Sequence, residues 1–441
     1  MRNSTCPAVR LSGVRGKHLL IALSGGADSV ALLCLAAEQA GAMDIRLTCA
    51  HMDHGIRAES PEDAAFCEDL CRKMGIPLRI VQVDIPNIAK TSGEGIETCA
   101  RRVRYEWLRR VKDEISADHI VLAHHMDDQA ETVLMHLFRG TGPEGISGMR
   151  EFSGELFRPL LNIPKQALTD YLTAKGISWR EDKTNLADDN PRNDLRLNAI
   201  PMIERSYPRA CAAIARFSRA AEVENDFLSR LTDGFMNENL VTGPFGKLLK
   251  LPEGSETAII RRAVRRICGP DLDHEKLIEI ACMAESAKGK TDISAEMFAE
   301  RGRLGLYFLP KRPIQIPETA LSLCGMTEID GFCQMEAISA APVPVKDDPM
   351  RQVLRRCALE GAVIRTRRDG DRVRPLGCGE KLLSDYLTDK KIDRPLRDFI
   401  PLVASGSNIL WAVGVGISSD AAIRAGSDDC VSLTCKPVFE T

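Results

Sequence analysis

Ser24-Gly25-Gly26-Ala27-Asp28-Ser29 is the stretch best suited to chemistry. Adjacent glycines let the backbone approach an anion with its N–H groups turned inward, and a helix starting near Asp28 adds the positive end of its dipole. Ser24 and Ser29 offer hydroxyl donors, and the loop lacks the lysine that a Walker loop uses to reach the outer phosphates. A second group is His124-His125-Met126-Asp127-Asp128-Gln129-Ala130-Glu131-Thr132. Asp128 and Glu131, three apart at a helix start, point to one side and suit Mg²⁺ directly or through water; helix capping is the ordinary use of the same pair. A third group, His51-Met52-Asp53-His54-Gly55-Ile56-Arg57, gives no metal-ligand spacing together with His124 and His125. His51 and His54 are therefore expected to contact nucleotide and substrate, with Asp53 available to an ammonium or a proton. Arg101 and Arg104 share one helix face and reach phosphates or a carboxylate with a fork-shaped guanidinium.

The elements around these groups alternate. Apolar runs of strand length occupy 18–23, 45–50, 78–83 and 119–123. Helical spacing follows the first run to about residue 40, starts again at Ser60-Pro61 with Glu62 and Asp63 in its first turn, and returns over 97–115 and 164–174. Such alternation predicts a doubly wound parallel sheet. The polar groups follow the first, second and fourth strands, and the carboxyl ends of strands in open α/β sheets are where ligands bind. One shared crevice is the expectation. Residues 200–309 read mainly as helices, the proline-rich 310–349 suits strands and a linker, and a smaller unit follows Arg351. The fold class is thus α/β at the N-terminus, a helical middle and a small α+β C-terminal part, with domains at 1–200, 201–325 and 345–441.

The chain has 441 residues, 44% hydrophobic and 27% charged, the balance of a soluble globular protein. No apolar run reaches membrane-spanning length and no export signal is read, so no membrane partner is expected. Fifteen scattered cysteines without a Cys-x-x-Cys pair argue for reduced thiols in a cytoplasm, against a disulfide framework or zinc ribbon, and Cys67 and Cys71 read as helix residues rather than ligands. Residues 351–400 hold thirteen Lys or Arg against eight Asp or Glu, a surplus of five that favours a polyanionic partner.

Ser24-Gly25-Gly26-x-Asp28-Ser29 resembles the PP-loop of the ATP pyrophosphatase superfamily. His51-Met52-Asp53-His54-Gly55-Ile56-Arg57, Ala100-Arg101-x-x-Arg104-Tyr105, His124-His125-x-Asp127-Asp128-x-x-Glu131-Thr132, Arg158-Pro159-Leu160-Leu161, Glu181-Asp182-x-Thr184-Asn185 and Arg192-Asn193-x-Leu195-Arg196 are together similar to the motif series of the bacterial tRNA(Ile)-lysidine synthetases. Gly370-Asp371-Arg372 and Arg397-Asp398-x-x-Pro401-Leu402 resemble that family's C-terminal domain, although Lys381 is followed by Leu382 where a lysine pair is common.

The resemblance implies that ATP activates the C2 oxygen of the wobble cytidine in CAU-anticodon tRNA(Ile), and that the ε-amine of free L-lysine displaces AMP. Ser24, Gly25, Gly26, Ala27, Asp28 and Ser29 would hold ATP. Asp128 and Glu131 would serve Mg²⁺ and lysine activation, with Arg104 and Asp53 as further catalytic residues. His51, His54, Arg57, Arg101, His125, Arg192 and Arg196 would bind substrate, and Arg367, Arg368, Arg372 and Lys381 would bind tRNA. Arg261, Arg262, Arg265 and Arg266 fall on one side of a helix, by default a solvated face and otherwise a tRNA backbone contact. A homodimer is among the expected assemblies. The rival enzyme is a PP-loop tRNA thiolase, which usually carries paired cysteines; Cys99 is the one thiol beside these motifs. A non-catalytic nucleotide sensor on the same scaffold is the rival from another class, and the complete loop and acidic pair count against it.

Overall fold

The computed structural model describes residues 7, 9–55, 60–180, 191–243, 246–286, 288–311, 316–330, 332–345, 348–424 and 429–437. Packing divides the chain into two units, Met1–Asp226 and Phe227–Thr441.

In the first unit His18–Ala22 (β1) is apolar on both faces and forms the centre of the sheet. It is followed by Ala27–Met43 (α1), Arg46–Asp53 (β2), Ser60–Met74 (α2), Leu78–Gln82 (β3), Ile85–Ser92 (α3), Ile96–Glu114 (α4), His119–Val121 (β4) and Met126–Phe138 (α5). Then come Pro143–Ile146 (α6), Phe152–Ser153 (β5), Leu156–Phe157 (β6), Lys165–Lys175 (α7), Pro191–Asp194 (α8), a π turn at Leu195–Ala199, Ile200–Ser206 (α9) and the first part of Ala210–Asn239 (α10). The strand order is β3-β2-β1-β4-β6-β5, parallel except for the terminal β5–β6 hairpin.

Alternation along β1 splits the core into two layers. Leu19 and Ile21 pack with Leu32, Leu33 and Leu172 on one face, while Leu20 packs with Val103, Leu108 and Ile120 on the other. The order reverses between β1, which leads to β2, and β4 on its other side. Such a switch point opens a crevice beyond the carboxyl ends of those strands, where the loop at Ser24 and the group at His124 emerge.

The second unit contains a five-stranded antiparallel sheet, β7-β8-β11-β10-β9, from Leu240–Gly243 (β7), Gly246–Lys250 (β8), Lys290–Asp292 (β9), Met297–Arg301 (β10) and Gly305–Pro310 (β11), together with Thr257–Cys268 (α11) and His274–Cys282 (α12). The expected helices of the middle region are present, and these strands are an addition to that reading. The predicted arginine face on α11 is a correction. Arg262 is buried, Arg265 donates to the Pro270 and Leu272 carbonyls, and Arg266 pairs with Asp233, so the four do not form one solvated cationic surface.

The C-terminal part has two further sheets. One is built from Thr319–Ala320 (β12), Val363–Arg365 (β16), Arg372–Val373 (β17), Lys381–Leu382 (β18), Leu402–Ser405 (β19), Asn408–Ala412 (β20) and Gly416–Ile417 (β21). The other is built from Gly325–Ile329 (β13), Cys333–Ala340 (β14), Arg351–Arg355 (β15) and Cys430–Pro437 (β22). Helices Arg356–Leu359 (α13) and Leu383–Asp389 (α14) complete it, and the side chain of Trp411 is fully buried in its core. Among the described residues no helix is long and apolar enough to cross a membrane.

Candidate active site

The loop after β1 closes on itself. Ser29 Oγ accepts the Ser24 N–H at 3.2 Å, lies 3.0 Å from Ser24 Oγ and donates to the Gly26 carbonyl at 3.0 Å. Ser29 therefore shapes the loop, whereas a phosphate-donor role was expected of both serines. Gly25 has a φ of +85°, a torsion that calls for glycine, and a Cβ there would crowd Cys67 Sγ at 3.3 Å. His51 braces the loop from below: its Nδ1–H donates to the Leu23 carbonyl at 2.9 Å, with Cys67 Sγ 3.5 Å from the same nitrogen.

A cavity of about 250 Å³ opens above this loop. Its lining combines polar Ser24, Gly26, Asp28, His54, Arg104 and Asp128 with apolar Ala50, Met52, Trp107, Leu108 and Leu122. Apolar and aromatic walls suit a heterocycle, and the polar groups suit phosphates. Two buried polar atoms here have no hydrogen-bond partner among the described residues, Arg104 Nε and Asp28 Oδ1. A desolvated guanidinium, its acidity increased by burial, awaits an anion, and a bare carboxylate oxygen awaits a cation. Trp107 and Met52 were not singled out by the sequence reading; the one available signal was that Trp107 sits three residues past Arg104 on the same helix.

His125 and Asp128 organise the start of α5. The Asp128 carboxylate accepts the His125 N–H at 3.0 Å. Burial alone would lower the His125 pKa, but Asp127, Asp28 and Asp128 outweigh it and raise the ring to about 9. An imidazolium cannot accept a hydrogen bond, so the Asp128 N–H, 3.4 Å from Nδ1, is not capped by the ring; Nδ1 instead faces Asp127 at 3.4 Å and Nε2 faces Asp28 at 3.6 Å. His124 goes the other way, to about 4, through burial and the nearby Arg158, Arg192 and Arg104, against the opposing pull of Asp128. Its Nδ1 accepts the Arg158 Nε–H at 3.3 Å, which puts the ring proton of the neutral form on Nε2.

Behind Asp128 lies Glu131, with only 2% of its side chain exposed. Arg192 Nε donates to Glu131 at 2.7 Å and Arg196 Nε at 2.6 Å, and both guanidiniums also reach Asp128 Oδ1, at 3.3 and 3.2 Å. Burial opposes ionisation of Asp128, yet His125, the backbone N–H it accepts, His124 and Arg192 hold its carboxyl below the usual range. Asp128 stays ionised although it is buried, and Arg192 and Arg196 bridge it to Glu131.

The structure gathers Ser24, Gly26, Asp28, Ser29, His54, Arg104 and Asp128 around the cavity, with His51, His125, Glu131, Arg192 and Arg196 supporting it. Gly25 and Ala27 complete the loop without lining the cavity. Asp53 is turned to its own turn, where Oδ1 accepts the Gly55 N–H at 2.9 Å, and is absent from the lining. Arg101 lies outside the cavity, its guanidinium 5.3 Å from the Tyr105 ring centre. Arg57 and the Glu181-Asp182-x-Thr184-Asn185 motif fall outside the described residues. Among the described residues no cysteine lines the cavity, and Cys99 is fully buried in the α4 core. In the C-terminal part Arg367 pairs with Asp398, Arg368 with Glu318, Arg372 with Glu380 and Lys381 with Asp389, at 2.5 to 2.8 Å.

Comparison with known proteins agrees with this geometry. The PP-loop domain family matches residues 7–203, and the TilS substrate C-terminal domain family matches residues 362–433. The tRNA(Ile)-lysidine synthase of Caldanaerobacter subterraneus subsp. tengcongensis is 31% identical over 91% of this chain and 90% of its own length. That of Symbiobacterium thermophilum is 32% identical over 96% and 94%, and that of a Thermus thermophilus strain is 34% identical over 90% and 69%. A glycine loop at the switch point, a buried acidic pair beside it and both family domains in order, matched along 90% or more of the length of two of these relatives, leave one assignment: the chain belongs to the tRNA(Ile)-lysidine synthase family.

Proposed function

We infer that this cavity carries out the two-step ligation that defines the family. The C2 oxygen of the wobble cytidine in CAU-anticodon tRNA(Ile) attacks the α-phosphorus of ATP and pyrophosphate leaves. The ε-nitrogen of lysine then attacks C2, and AMP departs with that oxygen. The observation that carries the reading is the match to a named synthase over 91% of this chain and 90% of that relative, combined with a cavity whose two unpartnered polar atoms, Arg104 Nε and Asp28 Oδ1, suit a phosphate and its cation.

The residue roles follow from position. Gly26 presents its backbone N–H to the phosphates, Gly25 lets the chain turn, Ser24 adds its hydroxyl, and Ser29 and His51 hold the loop in shape. Arg104 faces the negative charge that develops at the α-phosphate. Asp128, the member of the acidic pair that lines the cavity, holds the lysine ammonium and takes its proton; a lysine amine is mostly protonated at neutral pH, so a carboxylate must supply that step. Glu131 anchors Arg192 and Arg196, whose charges keep Asp128 ionised. The arginines occupy both Glu131 oxygens and Asp128 Oδ1, three of the four oxygens that were expected to hold Mg²⁺, and among the described residues no three metal-binding side chains converge. Asp28, with its free oxygen, fits a Mg²⁺ that arrives on the nucleotide, where the ion would neutralise charge on the departing pyrophosphate.

The test is incorporation of labelled lysine into bulk bacterial tRNA with ATP and Mg²⁺, followed by mild alkali. Label joined to a base carbon through nitrogen survives and an aminoacyl ester does not. No alkali-stable label on tRNA from a strain lacking the modification would overturn the reading.

A further inference from the structure

A second cavity, of about 360 Å³, lies on the other side of His124 from the nucleotide cavity, and His124 lines both. Its walls carry Arg101 from α4, His136 and Arg139 from the end of α5, Met149 and Arg192, and among the described residues no carboxylate lines it. Arg192 is committed to Glu131 and Asp128, and Arg101 rests against Tyr105. Neither Arg101 nor Arg139 has an ion-pair partner among the described residues. His136 Nδ1–H donates to the Gly145 carbonyl at 2.7 Å, which fixes the ring and leaves Nε2 as its remaining polar atom.

The far wall is built rather than accidental. Gln129 on α5 donates to the carbonyls of Ser147 and Met149 at 3.1 and 3.0 Å and accepts the Met149 N–H at 2.8 Å. Gly148, between them, has a φ of +60°, and a Cβ there would lie 2.7 Å from the Gln129 amide nitrogen.

The chemistry of the lining selects among anions. A free amino acid brings an ammonium with its carboxylate, and the described lining offers the ammonium no acidic partner. The phosphates of a nucleotide are served across His124 by the glycine loop. A phosphodiester carries one negative charge and no cation, and Arg forks are its usual partners. The reaction also requires a base to enter the nucleotide cavity while the sugar and phosphate that carry it stay outside.

We propose that the second cavity holds the RNA phosphodiester adjoining the target nucleotide, with Arg101 and Arg139 as its contacts, so that the base reaches the nucleotide cavity past His124. This rests on the reading of tRNA as the substrate.

The test uses the full-length protein and an unmodified CAU-anticodon tRNA(Ile) transcript, comparing wild type with Arg101→Gln/Arg139→Gln. The double variant should bind the transcript about 10- to 100-fold more weakly and lower the log–log salt slope by about 0.7, as expected when one phosphate is no longer neutralised, while Kd for ATP stays the same. A transcript with uncharged methylphosphonates flanking the wobble position should weaken wild-type binding and leave the variant unaffected. Equal transcript affinity and slope in the two proteins, or equal methylphosphonate penalties, would overturn the cavity assignment while lysine incorporation by wild type stands. A wild type that incorporates no lysine would overturn the functional reading and this inference with it.

Discussion

Arg196 Nε donates to Glu131 Oε1 at 2.6 Å, joining residues 65 positions apart in the chain. With Glu131 almost wholly enclosed, the pair links the segment after α8 to the catalytic helix. Replacing Arg196 with Met leaves Arg192 as the only guanidinium on a buried charge. The loss is expected to be roughly 2 kcal/mol, below the ~3–5 of a fully orphaned buried ion. Urea unfolding measures it, and an unchanged midpoint would show that the pair does not hold this segment.

Asp128→Asn keeps the size of the side chain and removes its charge. Lysine transfer should fall about 10²- to 10⁴-fold, with nucleotide binding and circular dichroism unchanged. Turnover at the wild-type rate would take the proton-accepting role away from Asp128.

His125 gives stability a basic limit. Its pKa is raised from 6.5 to about 9 in the folded protein, so its contribution is complete below about 6.5 and is lost as pH rises through 9. The full span is on the order of 3 kcal/mol. His125→Asn, which removes the titrating ring, should flatten the decline of unfolding free energy between pH 6.5 and 9; an identical decline in both proteins would assign the window to another group.

The C-terminal arginines expected to hold tRNA each face a carboxylate. Arg368 with Glu318 and Arg372 with Glu380 are solvent-exposed pairs, worth about 0–1 kcal/mol, which a phosphate can displace. Glu318→Gln/Glu380→Gln should therefore tighten tRNA binding several-fold, and Arg367→Ala/Arg368→Ala/Arg372→Ala should weaken it with a salt slope smaller by at most ~3. Unaltered affinity in the glutamine variant would move the contact elsewhere on the chain.

Cys99→Ser should leave lysine incorporation within about twofold, since a buried core thiol behaves as a small hydrophobe. Loss of product with a normal melting temperature would reopen sulfur chemistry.

The catalytic half was legible because its signals are local. A strand buried on both faces, two glycines and an amphipathic helix are each set by neighbouring residues, and β1, α1, β4 and α5 appear where the text placed them. The strands of the middle region were not legible: β9 is Lys-Thr-Asp and β10 is Met-Phe-Ala-Glu-Arg, too short and irregular for a period-two signal, and long-range pairing defines them. The partners of Glu131 were out of reach for the same reason. Arg192 and Arg196 were marked as substrate contacts because nothing in their own segment shows a carboxylate waiting more than 60 residues upstream. The C-terminal surplus of positive charge was counted correctly, but a count does not show that Arg367, Arg368, Arg372 and Lys381 meet carboxylates one by one.

Gln129 holds the wall of the second cavity with an uncharged amide. Dissolved ions screen guanidiniums and leave such hydrogen bonds intact. Ionic strength should therefore set how often RNA arrives without altering the shape it meets: in concentrated salt KM for tRNA rises, and kcat at saturating tRNA stays level.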